Sequence, residues 1–190
     1  MNFDKFTQYS SSLAEILQKA DFHKIHTLAA ALLTAWRENC QVFLCGNGGS
    51  AANALHIAND LVYGIAKEGG RGMRAVALTA DISIITCLAN DVSYSDIFSR
   101  QLAVHAQAGD ILIALSGSGN SPNIVKAIQE AKRIGMKPFA ILGYSGGECK
   151  ELADVSIHFS VNDMQIAEDM QLIVGHMIMQ WLRESKDKEL

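Results

Sequence analysis

Apolar positions at helical spacing open the chain. Over residues 3–19 and 22–38 they recur every three or four residues, as Ile25, Leu28, Leu32 and Trp36 do, so both segments are predicted as amphipathic helices. The pattern then becomes a continuous apolar run, Gln41-Val42-Phe43-Leu44-Cys45, stopped by Gly46, which reads as a buried strand. A polar cap at Ser50 starts a helix that runs to about Gly64. Further strands are predicted at 74–78, 110–115, 138–142 and 155–159, and further helices at 81–89, 94–108, about 121–134 and 163–184. Strands alternate with helices, and each strand is apolar throughout rather than at every second residue. That predicts an α/β fold, a parallel sheet covered on both faces, with a helical pair at its N-terminus. Ligands of such sheets bind beyond the carboxyl ends of the strands, so the loops that follow the strands carry the chemical interest.

Composition narrows the class. With 49% hydrophobic and 19% charged residues in 190, the chain is neither disordered nor low-complexity, and no long linker or internal repeat divides it. Sixteen Lys and Arg against 20 Asp and Glu give a net charge of −4, which argues against a basic nucleic-acid surface. No apolar run reaches 18 residues, so no membrane-spanning helix is expected. The start, Met1-Asn2-Phe3-Asp4-Lys5, lacks the basic-then-apolar pattern of a secretory leader, and a cytoplasmic location is expected. Cys40, Cys45, Cys87 and Cys149 form no CxxC pair; Cys45 and Cys87 lie in apolar stretches and read as buried thiols.

The loop after the first strand is Gly46-Asn47-Gly48-Gly49-Ser50. Glycines allow close backbone approach, and the helix start that follows offers N–H groups to an anion. The same residues also serve as a tight capped turn. The loop is neither GxGxxG nor a P-loop, because no Lys-Ser/Thr follows the last glycine, and nucleoside triphosphate hydrolysis is disfavoured. After the third strand, Ser116-Gly117-Ser118-Gly119-Asn120-Ser121 again leads into a helix, and its hydroxyls and amides can wrap one phosphate. Neither loop contains lysine or arginine, so a sugar phosphate suits the pair better than a polyphosphate.

His56 and Asp60, spaced i, i+4, share one helix face, and Glu168 and His176, spaced i, i+8, lie roughly on one side of the last helix. Two imidazoles and two carboxylates make a ligand set for zinc or another divalent transition metal. Equally, a helical histidine is commonly a satisfied side chain, and Glu168-Asp169 can be a solvated face.

Several motifs in fixed order resemble the phosphoheptose isomerases of the sugar-isomerase (SIS) family. They are CGNGGSAA, then His56 with an acid four residues on, ALTADISIITCLAND, FSRQ, SGSGNSPN, and Gly175-His176 in the closing helix. The resemblance covers nearly the whole chain and implies a single SIS domain over 1–190, a flavodoxin-like or Rossmann-like three-layer sandwich with five parallel strands. It implies a homotetramer, with residues 1–38 used in oligomer packing. It implies conversion of sedoheptulose 7-phosphate into D-glycero-D-manno-heptose 7-phosphate through an enediol(ate), for surface-polysaccharide heptose.

The resemblance also assigns residues. Phosphate is expected at Ser116, Gly117, Ser118 and Ser121 with Ser50 close by, and sugar contacts at Asn47, Gly48, Gly49, Asp60, Asn90, Asp91 and Glu168. Zinc or another divalent metal is expected on His56, Asp60, Glu168 and His176, with Asp60 as base and His176 as its acid/base partner. The chain departs from the family pattern in four places. Asp60 replaces a usual Glu, Gly64 a common arginine and Glu168 a usual glutamine, while the serine loop reads Ser-Gly-Ser rather than Ser-Thr-Ser. Two other readings remain. The loss of the arginine at Gly64 suggests an isomerase of another phosphorylated ketose. A non-catalytic module that binds a sugar phosphate, or a protein partner such as a replication initiator, would have no need for the four ligands.

Overall fold

The computed structural model describes residues 3–185. The reading of Met1 and Asn2 as the start of a leaderless chain lies outside the described residues. A helical pair, α1 (Asp4–Gln18) and α2 (Phe22–Arg37), leads into β1 (Gln41–Cys45), α3 (Gly49–Val62), β2 (Arg74–Ala77), α4 (Ile82–Asp91) and α5 (Ser99–His105). Then follow β3 (Ile111–Ser116), α6 (Pro122–Ile134), β4 (Lys137–Leu142), α7 (Gly147–Leu152), β5 (Val155–His158) and α8 (Met164–Ser185).

The sheet order is β2-β1-β3-β4-β5, and every pairing is parallel. Alternate strand residues serve two separate cores. Ile111, Ile113 and Leu115 of β3 pack with residues of α2, α3 and α8 on one face, while Leu112 and Ala114 pack with residues of α5, α6 and α7 on the other. This double burial explains the unbroken apolar runs that betray the strands. Asp110, 1% exposed, ties the starts of two central strands together: its carboxylate accepts from the Gln41 N–H at 2.8 Å and the Gln107 N–H at 2.9 Å.

Two expectations need correction. The helix expected over 94–108 divides into a single 3₁₀ turn, Tyr94–Asp96, and the short α5. Ile97 and Phe98 between them are each 1% exposed. Ser93 caps the 3₁₀ turn on its own, its Oγ accepting from the Ser95 N–H at 3.1 Å, so the segment does not run on as one helix. Cys87 is exposed on α4, which buries none of its residues, and its thiol is pushed up by a hydrogen bond to Asp91. Cys45 and Cys149 are buried, and burial pushes the Cys149 thiol up to about 12. The short α7, only 6 residues long, carries no periodicity that could reveal it.

The chain runs from β1 outward to β2 and returns on the far side of β1 as β3. The loops leaving β1 and β3 therefore diverge from neighbouring strands, and the crevice between them is where a doubly wound sheet takes its ligand.

Candidate active site

A cavity of about 230 Å³ opens beyond β1 and β3. Asn47, Gly48, Gly49 and Ser50 wall it from one loop, and Ser116, Gly117, Ser118 and Ser121 from the other. Met164 and Glu168 of α8 close it. All eight loop positions expected to meet a sugar phosphate are thus together. A larger hollow of about 550 Å³ runs beside β2, but it contains none of them and lies away from the switch between β1 and β3.

Local bonding readies both loops. Gly48 has φ of 55°, a left-handed conformation that suits glycine, as the chain turns from strand into α3. Ser116 Oγ accepts from the Gly119 N–H at 3.0 Å, and Ser118 Oγ accepts from the Asn120 N–H at 3.2 Å. A hydroxyl used as an acceptor keeps its own O–H to donate, so both serines can give hydrogen bonds to an anion.

The second part of the site depends on α3 and α8 lying side by side and running the same way. Asn53 Nδ2 on α3 donates to the Glu168 carbonyl at 2.9 Å and to Gln171 Oε1 at 3.2 Å. One turn on, Gly175 meets Ile57 so closely that a Cβ there would stand 2.6 Å from Ile57 Cγ1. This approach sets His56 and Asp60 against His176. The two Nε2 atoms are 3.0 Å apart, and Asp60 Oδ2 stands 3.6 Å from that of His56 and 3.7 Å from that of His176. Ligands about 2.1 Å from a tetrahedral ion are about 3.4 Å from one another. The three separations bracket that edge, so two imidazoles and a carboxylate here fit a divalent transition ion, and their ligand atoms all lie within 4.8 Å.

Glu168 is not in that group. Its carboxylate faces the bare backbone of Gly49, where a Cβ would run into it, and it lines the cavity instead. The expected quartet is therefore a triad plus one carboxylate set over the substrate space. Asn90 and Asp91 do not line the cavity either. They end α4, exposed, with Asn90 Nδ2 donating to Asp91 Oδ1 at 2.7 Å. Two residues that the sequence did not single out reach the site: Asn123 and Tyr94 both bond to the Asn47 side chain. Asn123 lies inside the SGSGNSPN motif, but its place at a helix start hides its role, and nothing around Tyr94 signals one.

No helix among the described residues is long and apolar enough to cross a membrane. Residues 5–143 match the model of the SIS domain family. A phosphoheptose isomerase from a Nitratiruptor species is 36% identical over 178 residues, 94% of this chain and 94% of that protein. One from Akkermansia muciniphila is 44% identical over 138 residues, 73% of this chain and 72% of that one. The solved structure of a phosphoheptose isomerase from Francisella tularensis matches with a TM-score of 0.90 at 26% identity, covering 97% of this chain and 100% of that one. With its parallel sheet, its paired glycine and serine loops and these relatives, the chain belongs to the SIS domain family, among the phosphoheptose isomerases.

Proposed function

We propose that this chain is a cytoplasmic, metal-dependent isomerase that converts sedoheptulose 7-phosphate into D-glycero-D-manno-heptose 7-phosphate, for surface-polysaccharide heptose. The observation that carries this reading is the meeting of His56, Asp60 and His176 from two helices beside a cavity lined by hydroxyls and backbone amides. A module that only holds a phosphate needs the cavity and has no use for the triad.

The serine loop donates to the phosphate, and the Glu168 carboxylate accepts from sugar hydroxyls. Asp60 turns Oδ2 to the two histidines, which leaves Oδ1 for proton transfer. It removes a proton from C1 while His176, through the Nδ1–H left when its Nε2 holds the ion, delivers one to the C2 oxygen, giving the enediol. Return of the carbon-bound proton to C2, as the C1 hydroxyl gives up its own, yields the aldose. His56, Asp60 and His176 would hold zinc or another divalent transition ion, which would supply Lewis-acid polarisation of the carbonyl.

The working form is a homotetramer of single SIS domains, with residues 1–38 in the packing between copies. Leu55, Val62 and Tyr63 beside the triad are 44%, 49% and 61% exposed, and Phe3, just before α1, and Phe6, on it, are exposed too, an apolar surface that further copies would cover.

Incubation with sedoheptulose 7-phosphate and zinc in deuterated water, with the C1 protons followed by NMR, tests the reading. Exchange at C1 with appearance of the aldose is expected; no exchange from a folded oligomer would refute it. Asp60→Asn and His176→Ala should each slow turnover by about 10²–10⁴ while inorganic phosphate still binds. Equal loss of phosphate affinity would count against the assigned roles.

A further inference from the structure

Asn47 lines the cavity, and its carboxamide is engaged by two partners. The first is Asn123, 1% exposed, whose Oδ1 accepts from the Ile124 backbone N–H at 3.0 Å. A backbone amide can only donate, so this bond settles which end of the Asn123 carboxamide is oxygen. Asn123 Nδ2 then donates to Asn47 Oδ1 at 2.8 Å, and Asn47 Nδ2 donates to Asn123 Oδ1 at 2.9 Å. The second partner is Tyr94, whose hydroxyl donates to the same Asn47 Oδ1 at 3.0 Å. Both acceptor positions of Asn47 are filled. One Nδ2–H is all the hydrogen-bonding capacity it has left for a ligand.

The Ser116 and Ser118 hydroxyls already supply donors for the phosphate on the facing loop. A side chain that can only donate suits an oxygen with no proton to give. In an open-chain ketose phosphate, the oxygens outside the phosphate are hydroxyls, which give and accept, and one carbonyl, which only accepts. Resting on the isomerase reading above, we propose that Asn123 and Tyr94 are positioning residues that lock Asn47 as a donor to the ketose carbonyl oxygen. The lock favours the keto form over hydroxyl analogues. The same donor strengthens its bond as negative charge gathers on that oxygen in the transition state.

The test is a calorimetric titration of the zinc-loaded oligomer with sedoheptulose 7-phosphate, with the heptitol phosphate made by reducing its C2 carbonyl, and with inorganic phosphate. Asn123→Asp still accepts from Ile124 but cannot donate to Asn47, which then turns its N–H groups to the new carboxylate. The preference for ketose over heptitol phosphate should fall about tenfold, the worth of one well-made hydrogen bond, with inorganic phosphate affinity held within about twofold. Tyr94→Phe keeps the ring at a site 55% exposed, so folding is not at stake. It should move the same preference by about threefold, with kcat falling more than KM rises. Equal weakening toward all three ligands would mark a merely structural role and overturn the proposal. So would unchanged preference in both variants, or a loss confined to the phosphate end. Failure of the wild type to bind the ketose phosphate at all would instead overturn the isomerase reading.

Discussion

Gly175 is the residue on which the triad most depends, and Gly175→Ala is the most informative single change. In the interior of α8 alanine is the better helix former by about 1 kcal/mol, so on propensity alone the variant gains stability. The added Cβ, however, would stand 2.6 Å from Ile57 Cγ1 and 2.9 Å from Ile57 Cδ1. Ordinary carbon contacts are near 3.6 Å, so α3 and α8 must part by about 1 Å or Ile57 must leave its rotamer. Overpacking of this kind costs about 1–3 kcal/mol. The two effects nearly offset, and net destabilisation should be no more than about 2 kcal/mol. Metal binding lacks such an offset. His56 and Asp60 sit on one helix and His176 on the other, and metal–ligand distances tolerate only about 0.2 Å. The affinity for zinc, or for cobalt(II) followed by its visible bands, should fall by about 10–100-fold in a protein that still melts cooperatively. Adding Ile57→Ala removes the clashing atoms. The double variant should recover most of the metal affinity, although Ile57→Ala alone costs about 2–5 kcal/mol of stability. Native cobalt affinity in Gly175→Ala, or no recovery in the double variant, would refute the reasoning.

Two stability predictions follow from charged groups elsewhere. Asp110→Ala orphans the Gln41 and Gln107 N–H groups at the starts of two central segments and should cost about 2–4 kcal/mol in urea unfolding; less than about 1 kcal/mol would show that these bonds matter little. The hydrogen bond from Lys126 Nζ at 2.9 Å holds the Asp96 carboxyl below its usual 3.8. A depressed folded value means the pair stabilises fully above the unfolded value and loses its contribution as pH falls through the lowered one. Acid unfolding curves of the wild type and Lys126→Met should therefore differ near neutral pH and converge as pH falls through the lowered value. A gap that persists in acid would assign the effect to lost packing of the lysine stem.

The sheet was legible because its strands are buried on both faces and read as apolar blocks, and both ligand loops were legible because each follows such a block. The break after Asp96 was not, since a helical period over 94–108 cannot show that Ser93 caps a separate 3₁₀ turn. His56 and Asp60 could be paired from their spacing alone. Their meeting with His176 depends on a helix crossing set by Gly175 and Ile57, 118 residues apart, and the motif that holds Gly175 does not reveal Ile57 as its partner. Spacing likewise put Glu168 on the side of α8 that holds His176, yet its carboxylate turns to Gly49 because that position has no side chain. Asn123 escaped notice for a chemical reason. Which way an amide points is decided by its partners, and here those partners include a backbone N–H and a side chain 76 residues away.

The separation of 120 residues between His56 and His176 also has a meaning for synthesis. By the time β5 has emerged from the ribosome, the whole sheet and both loops that wall the cavity are made, whereas α8 still lies ahead in the chain. A nascent chain at that stage has one histidine and one aspartate of the triad and so is a poor trap for metal, and its catalytic half arrives only when the final helix docks. A message cut short before His176 would therefore lose the third ligand together with part of the core that α8 forms against α2 and α3.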